Sequence, residues 1–327
     1  MPLPGADKQR PAGLVGCHHA AVTVVLTRSC VDHLVDPGQI LEILREGFRA
    51  PAAHQPPLRI RTDLPGPGTA TCLMPGLLPG VPAYTVKTNA KFPGAAPALR
   101  GVVCLHDLQS GELLALADSS SITSWRTGLA AALGTHLIAA SGASTLGIVG
   151  AGAQAGRTLT GLRQLRRWRR IVACDLDRTR AAALTPHVVG SAAEVAAEVD
   201  VVVLATWSRQ PLLNSGNLRP GQHLTTLGAD EPGKIELSAD LLRTACVIVD
   251  DVVLAAQSGA LGNVGLDAGA AAGTLADVVQ GTLSVPKCEK TVTVYAPVGL
   301  PWQDLALTWA LYQRATTPDQ IIIDLLA

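Results

Sequence analysis

The amino-acid sequence predicts an α/β protein in which a strand-rich α+β part precedes a doubly wound parallel-sheet domain. Three observations predict it. At 327 residues the chain is long enough for about two domains. Between Leu58 and Ala117, short β-like runs are separated by proline and glycine turns, the pattern of a mostly antiparallel sheet. From Thr145 onward, strand-length apolar runs alternate with helical patterns, which implies a parallel sheet with helices on both faces.

Each element follows in order. Residues 1–20 mix proline, glycine and charge and read as a loose leader. The apolar run after Lys8 and Arg10 is too short for a secretory signal. Ala21 to Leu26 reads as a buried strand, and Pro37 to Phe48 places Ile40, Leu41, Ile43, Leu44 and Phe48 at helical spacing. Strands are expected at Leu58–Thr62, Thr69–Met74, Ala83–Thr88, Gly101–Asp107 and Leu113–Ala117. Ser121 and Thr123 are N-cap types ahead of a helix from Trp125 to Ala140. The second part then offers strands at Thr145–Val149, Ile171–Asp175, Val201–Ala205, His223–Leu227 and Val247–Asp250. Helices separate them at Ala153–Leu165, Arg178–Leu184, Ala192–Val199 and Ser238–Arg243, and a last helical pattern spans Trp302 to Arg314.

Composition excludes several classes. Hydrophobic residues make up 48% and charged ones 16%, too apolar for a disordered chain. Lys plus Arg number 26 and Asp plus Glu 26, so no global field draws nucleic acid or anionic lipid. With 5 Trp, 3 Tyr and 2 Phe there is little material for base stacking, and neither a nucleic-acid nor a membrane partner is expected. The cysteines at 17, 30, 72, 104, 174, 246 and 288 include no CxxC pair. Cys17-His18-His19, Cys30 and His33 lack the spacing that fixes metal ligands on one element. Reduced thiols in the cytoplasm, and no metal site, are the expectation.

Leu146-Gly147-Ile148-Val149 runs into Gly150-Ala151-Gly152-Ala153-Gln154-Ala155, a strand entering GxGxxA and then a helix. Gly150 permits the tight turn, and Gly152 lets the backbone approach a pyrophosphate. The small residue at 155 allows close helix–strand packing. The helix N-terminus adds free N–H groups and a positive dipole end. The next strand ends in Asp175, 25 residues after Gly150, where an acid accepts from a ribose 2′-hydroxyl. That acid favours NAD over NADP, although Arg178 and Arg180 lie close enough to reach a 2′-phosphate.

Three further residues carry candidate chemistry. Lys87 lies in or at the end of a strand that reads as buried; either it is paired and working, or it snorkels at the strand edge. Arg126 is expected in a helix's first turn, against the dipole rule, which an anionic ligand would resolve; a surface arginine is the plain alternative. Asp230, in Gly228-Ala229-Asp230-Glu231-Pro232-Gly233-Lys234, follows a strand at the sheet's carboxyl edge and is an acid/base candidate, or else ordinary turn chemistry.

These pieces resemble the ornithine cyclodeaminase/mu-crystallin family from near Leu58 to near Tyr312. The matching stretches are Leu73-Met74-Pro75, Val86-Lys87 with Phe92-Pro93-Gly94, Thr123 to Thr127 as T-x-x-R-T, the Gly150 loop, Gly228 to Leu237, and Val298-Gly299 with Gln303-Asp304. The resemblance implies a homodimer with a Rossmann dinucleotide-binding domain at 143–299. It also implies a substrate-binding and dimerisation domain made of 21–142 and 300–327. By the same resemblance Lys87 and Arg126 bind substrate, with Val298 and Gly299 closing the site, and Asp230 is the catalytic acid assisted by Lys87. Gly150, Gly152, Ala153, Gln154, Asp175, Thr206, Gly228 and Lys234 match cofactor contacts, and either Arg59 or Arg61 fits the carboxylate-binding arginine. The implied activity is hydride transfer between NAD(P)H and a small α-imino acid or cyclic ketimine. Cyclodeaminases carry a glutamate where this chain has Cys72, which speaks against the ammonia-eliminating alternative. A non-catalytic, crystallin-like nucleotide-binding protein is the other alternative.

Overall fold

The computed structural model describes residues 22–51, 58–286, 290–315 and 321–324. The expected leader, the Cys17-His18-His19 group and Cys288 lie outside the described residues. The chain forms two compact units. Met1–Asp36, Ala50–Arg126 and Pro301–Ala327 make the first; Pro37–Arg49 and Thr127–Leu300 make the second.

The chain begins with β1 (Val22–Leu26), α1 (Arg28–Leu34) and α2 (Pro37–Arg49). β2 (Ile60–Asp63), β3 (Ala70–Gly76), β4 (Ala83–Lys91), β5 (Leu99–Asp107) and β6 (Leu113–Asp118) follow as an antiparallel meander, left by α3 (Ser119–Ile138). Alternation then sets in with β7 (Thr145–Val149), α4 (Ala153–Leu165), β8 (Arg170–Cys174), α5 (Arg178–Leu184), α6 (Ala192–Glu198), β9 (Val201–Leu204), β10 (Arg209–Leu213) and β11 (His223–Thr226). It continues through β12 (Ile235–Leu237), α7 (Ala239–Thr244), β13 (Cys246–Val249), α8 (Val252–Ser258), β14 (Gly273–Thr274), α9 (Leu275–Gln280) and β15 (Thr293–Tyr295). α10 (Pro301–Arg314) and β16 (Ile321–Asp324) belong to the first unit again.

In the first unit the strand order is β16-β1-β6-β5-β4-β3-β2. Period-2 alternation sorts the side chains of β4: Ala83, Thr85, Lys87 and Asn89 are buried on one face, while Tyr84, Val86 and Thr88 turn outward. α10 packs against β3, β4, β5 and β6 on the buried face. In the second unit the order is β14-β13-β15-β11-β9-β7-β8, and every pairing is parallel. β7, β9 and β11 are buried along their whole length, as strands covered on both faces must be. A smaller parallel pair, β10 with β12, stands beside this sheet.

Three local expectations are corrected. The helix α2 falls with the second unit rather than the first, because its apolar face of Ile40, Leu41, Leu44 and Phe48 packs on α4 and α9. α3 starts at Ser119 rather than Trp125, because the Asp118 carboxylate accepts the Ser121 N–H at 2.7 Å and supplies the cap. Arg126 is therefore the eighth residue of its helix, and the expected conflict with the helix dipole does not arise. The units meet in sequence at 126/127 rather than 142/143, because the rest of α3 packs inside the second unit. A Cβ added at Gly134 would lie 2.3 Å from the ring of fully buried Tyr295, and Thr135 Oγ1 lies 2.6 Å from Thr225 Oγ1.

No helix among the described residues is long and apolar enough to cross a membrane.

Candidate active site

The first unit assembles two sequence-predicted cations on one unpredicted acid. Lys87, in mid-strand on β4, donates to Asp304 Oδ2 at 2.5 Å. Arg126 on α3 donates from Nε to Asp304 Oδ1 at 3.1 Å and from Nη1 to Gln303 Oε1 at 3.2 Å. Lys87, Arg126 and Asp304 are 1%, 4% and 1% exposed, so the trio lies away from water. Lys87 is thus paired rather than snorkelling, and Arg126 is not a surface arginine. Burial first, then the charges of Arg126 and Arg59, pull the Lys87 ammonium below the ordinary lysine range, although Asp304 opposes them. Burial alone would raise Asp304, but Arg126 and Lys87 overcome it and hold the carboxyl below its usual range. Two cations sharing one carboxylate leave the trio with a surplus positive charge in a low-dielectric setting.

The two arginine candidates separate. Arg61, in β2, pairs with Asp63 through Nε at 3.0 Å and Nη2 at 2.5 Å. Arg59 lies just before β2, and its charge is felt at Lys87. Cys72, the position that carries a glutamate in cyclodeaminases, is opposite Asn89 in the β3–β4 register.

In the second unit, Gly150 adopts φ +86°, and a Cβ there would lie 2.6 Å from the Ala205 carbonyl oxygen. Gly152 is the N-cap of α4 and offers no side-chain hydrogen bond to the first turn, which holds Ala153 and Gln154 and no acid. A Cβ at Gly152 would meet nothing within 4 Å, so the approach to these N–H groups is open. Asp175 follows β8 directly, accepting from the Ala151 N–H at 2.6 Å and the Asp177 N–H at 2.7 Å. An uncapped helix start beside a glycine turn and a carboxylate at the next strand's end fits a dinucleotide's pyrophosphate and ribose.

Lys234 donates to Asp230 at 2.8 Å, stands 3.7 Å from Glu231, and lies 5.3 Å from the centre of the Trp207 ring. Thr206 and Gly228 share one partner, Glu236, which sequence reasoning gave no role. Val298 and Gly299 donate their N–H groups to Asp250 at 2.9 and 2.6 Å. Asp304, Glu236 and Asp250 are all buried carboxylates. The available signal for Glu236 and Asp304 was their place inside two of the stretches that carry the family resemblance, Gly228 to Leu237 and Gln303-Asp304. Among the described residues, no group of three or more His, Cys, Asp or Glu side chains could hold a metal ion.

The pattern of the ornithine cyclodeaminase/mu-crystallin family matches residues 21–318. The chain belongs to that family. Within it, the chain is similar to an alanine dehydrogenase of Archaeoglobus fulgidus, 27% identical over 315 residues, with 90% of this chain and 95% of that protein covered. It is also similar to the ketimine reductase mu-crystallin of Mus musculus, 29% identical over 250 residues, with 73% and 79% covered. Among solved structures, an archaeal alanine dehydrogenase dimer with bound NAD superposes with a TM-score of 0.84 at 25% identity, covering 92% of this chain and 99% of that one. The family's fold is thus carried along nearly the whole chain.

Proposed function

We propose that this family member is an NAD(H)-dependent oxidoreductase that moves a hydride between nicotinamide C4 and the Cα of a small α-imino acid or cyclic ketimine, forming or oxidising an amino acid. The observation that carries the reading is the buried Lys87–Asp304–Arg126 trio, whose surplus positive charge suits the carboxylate that every such substrate bears. The names of the relatives, an alanine dehydrogenase and a ketimine reductase, support the same chemistry.

The cofactor, when bound, supplies or accepts the hydride. The protein's own groups do the rest. Arg126 and Lys87 hold the substrate carboxylate, with Arg59 favoured over Arg61 as the third cation because its charge acts on Lys87. Asp230 passes the proton at nitrogen. Gly150, Gly152, Ala153 and Gln154 receive the pyrophosphate, and Asp175 selects NAD by accepting from the ribose 2′-hydroxyl. Asp175 makes NADP the lesser alternative, with Arg178 and Arg180 just beyond it as the groups that would meet a 2′-phosphate. Thr206, Gly228 and Lys234 complete the cofactor contacts, and Val298 with Gly299 borders the substrate. Cys72 favours this reading over an ammonia-eliminating cyclodeaminase.

We read the functional state as a homodimer, as in the archaeal alanine dehydrogenase. The outward face of the first unit's sheet, with Leu73, Tyr84, Val86, Cys104 and Leu116 exposed or half-buried, is the surface that suits a second copy. The cysteines Cys30, Cys72, Cys104, Cys174 and Cys246 are free thiols, in keeping with the reducing cytoplasm.

The test follows NADH absorbance, then NADPH, with pyruvate or glyoxylate plus an amine and with five- and six-membered cyclic imino acids. NADH consumption is expected. Silence there, with ammonia released from ornithine or lysine in the presence of NAD, would transfer the assignment to the cyclodeaminase. A pH profile adds a second check. Lys87, pulled down to about 8, loses its charge as pH rises past that value while Arg126 keeps its own, so kcat/KM is expected to fall on the alkaline side. Lys87→Met should remove that limb along with most of the activity.

A further inference from the structure

Glu236 is the most heavily bonded buried carboxylate in the second unit that the proposed reaction does not use. It sits in the middle of β12 and is fully buried. Oε1 accepts from the Thr206 N–H at 2.6 Å and the Thr206 hydroxyl at 2.7 Å. Oε2 accepts from the Thr226 hydroxyl at 2.7 Å and the Gly228 N–H at 2.8 Å. Each oxygen therefore takes one backbone N–H and one hydroxyl. Thr206 lies just beyond the carboxyl end of β9, and Gly228 just beyond that of β11, so one side chain ties two neighbouring strand ends together.

The tie is tight on both sides. A Cβ added at Gly228 would fall 2.2 Å from the Thr206 carbonyl oxygen and 2.5 Å from Glu236 Oε1. A Cβ at Gly150 would fall 2.9 Å from Thr206 Cγ2. The glycine turn, the Thr206 segment, the Gly228 segment and Glu236 thus form one packed chain of contacts. In the sheet, β8 and Asp175 lie on one side of β7, and β9 and β11 on the other. A dinucleotide laid across this edge with its adenosine at Asp175 must carry its other half over the strand ends that Glu236 joins.

We propose that Glu236 is a positioning residue for the nicotinamide half of the cofactor, holding the Thr206 and Gly228 segments at a fixed separation. The inference rests on the NAD reading given above. A glutamine cannot substitute, because whichever way its amide is turned, the NH₂ meets a backbone N–H that cannot become an acceptor.

The experiment compares NADH with ADP-ribose, which lacks nicotinamide, by fluorescence and calorimetric titration of wild type and Glu236→Gln, alongside thermal unfolding. The expected result is a loss of NADH affinity of about tenfold or more, as for a broken hydrogen bond to a charged group, with ADP-ribose affinity nearly unchanged. Glu236→Asp, which keeps two oxygens, should recover part of the loss. Thr226→Val removes one donor to Oε2 and should shift the same affinity ratio by a smaller factor, which keeps the test open if Glu236→Gln does not fold. Equal losses for both ligands, or an unchanged ratio in the folded variants, would overturn the positioning role. Wild-type protein that binds neither ligand would instead overturn the NAD reading itself.

Discussion

Exchange of Asp304 for asparagine is expected to destabilise the protein by about 3–5 kcal/mol, the usual consequence of removing one partner from a buried ion pair. The neutral amide would leave Lys87 and Arg126 facing each other without the carboxylate, at 1% and 4% exposure. The check is the thermal midpoint of Asp304→Asn, with Lys87→Met added as a second step. Removing one stranded cation should return part of the lost stability, so the double variant will melt above the single one. The pH dependence has a defined sign. Asp304 is held below its ordinary value of 3.8, so its share of stability is present above that value and is lost as pH falls through the lower, folded one. An unchanged midpoint in Asp304→Asn would show that the trio contributes nothing to folding.

The second large effect is on turnover. Asp230→Asn is expected to lower kcat by about 10²–10⁴-fold, the range for losing a general acid. NADH affinity should stay at the wild-type level. Asparagine still accepts the hydrogen bond that Lys234 gives at 2.8 Å, so the loop between Gly228 and Lys234 keeps its contact, but an amide carries no proton to the substrate nitrogen. Steady-state kinetics and NADH titration on the same preparation separate the two quantities. An unchanged rate would remove Asp230 from the mechanism.

Much of this is legible in the sequence. Apolar runs such as Val201-Val202-Val203-Leu204 read as strands covered on both faces because a parallel sheet demands that composition. The glycine turn at 150 and the acid at 175 were legible because a strand running into a glycine turn and a helix, followed by a strand that ends in an acid, is a pattern of local sequence. Lys87 stood out as a charge in a strand that reads as buried, whereas Arg126 stood out for a first-turn placement that the longer α3 removes. Short elements were less legible. β15 has three residues, too few for a period to show, yet it fills the sheet position between β13 and β11.

By itself, then, the sequence determined the α/β class and pointed to the glycine turn and to the cations Lys87 and Arg126, because the class and the turn depend on local spacing and Lys87 on the cost of burying a charge. The tertiary structure alone decided what those cations are bound to. Asp304 is 217 residues from Lys87 and 178 from Arg126, and only the return of α10 onto β4 and α3 brings the three together. It likewise decided that α2 belongs with α4 and α9, and that Asp63 holds Arg61 while Arg59 acts on Lys87. Glu236 joins two strand ends for the same reason: partners of a buried carboxylate are chosen by proximity in the fold, which no local pattern encodes.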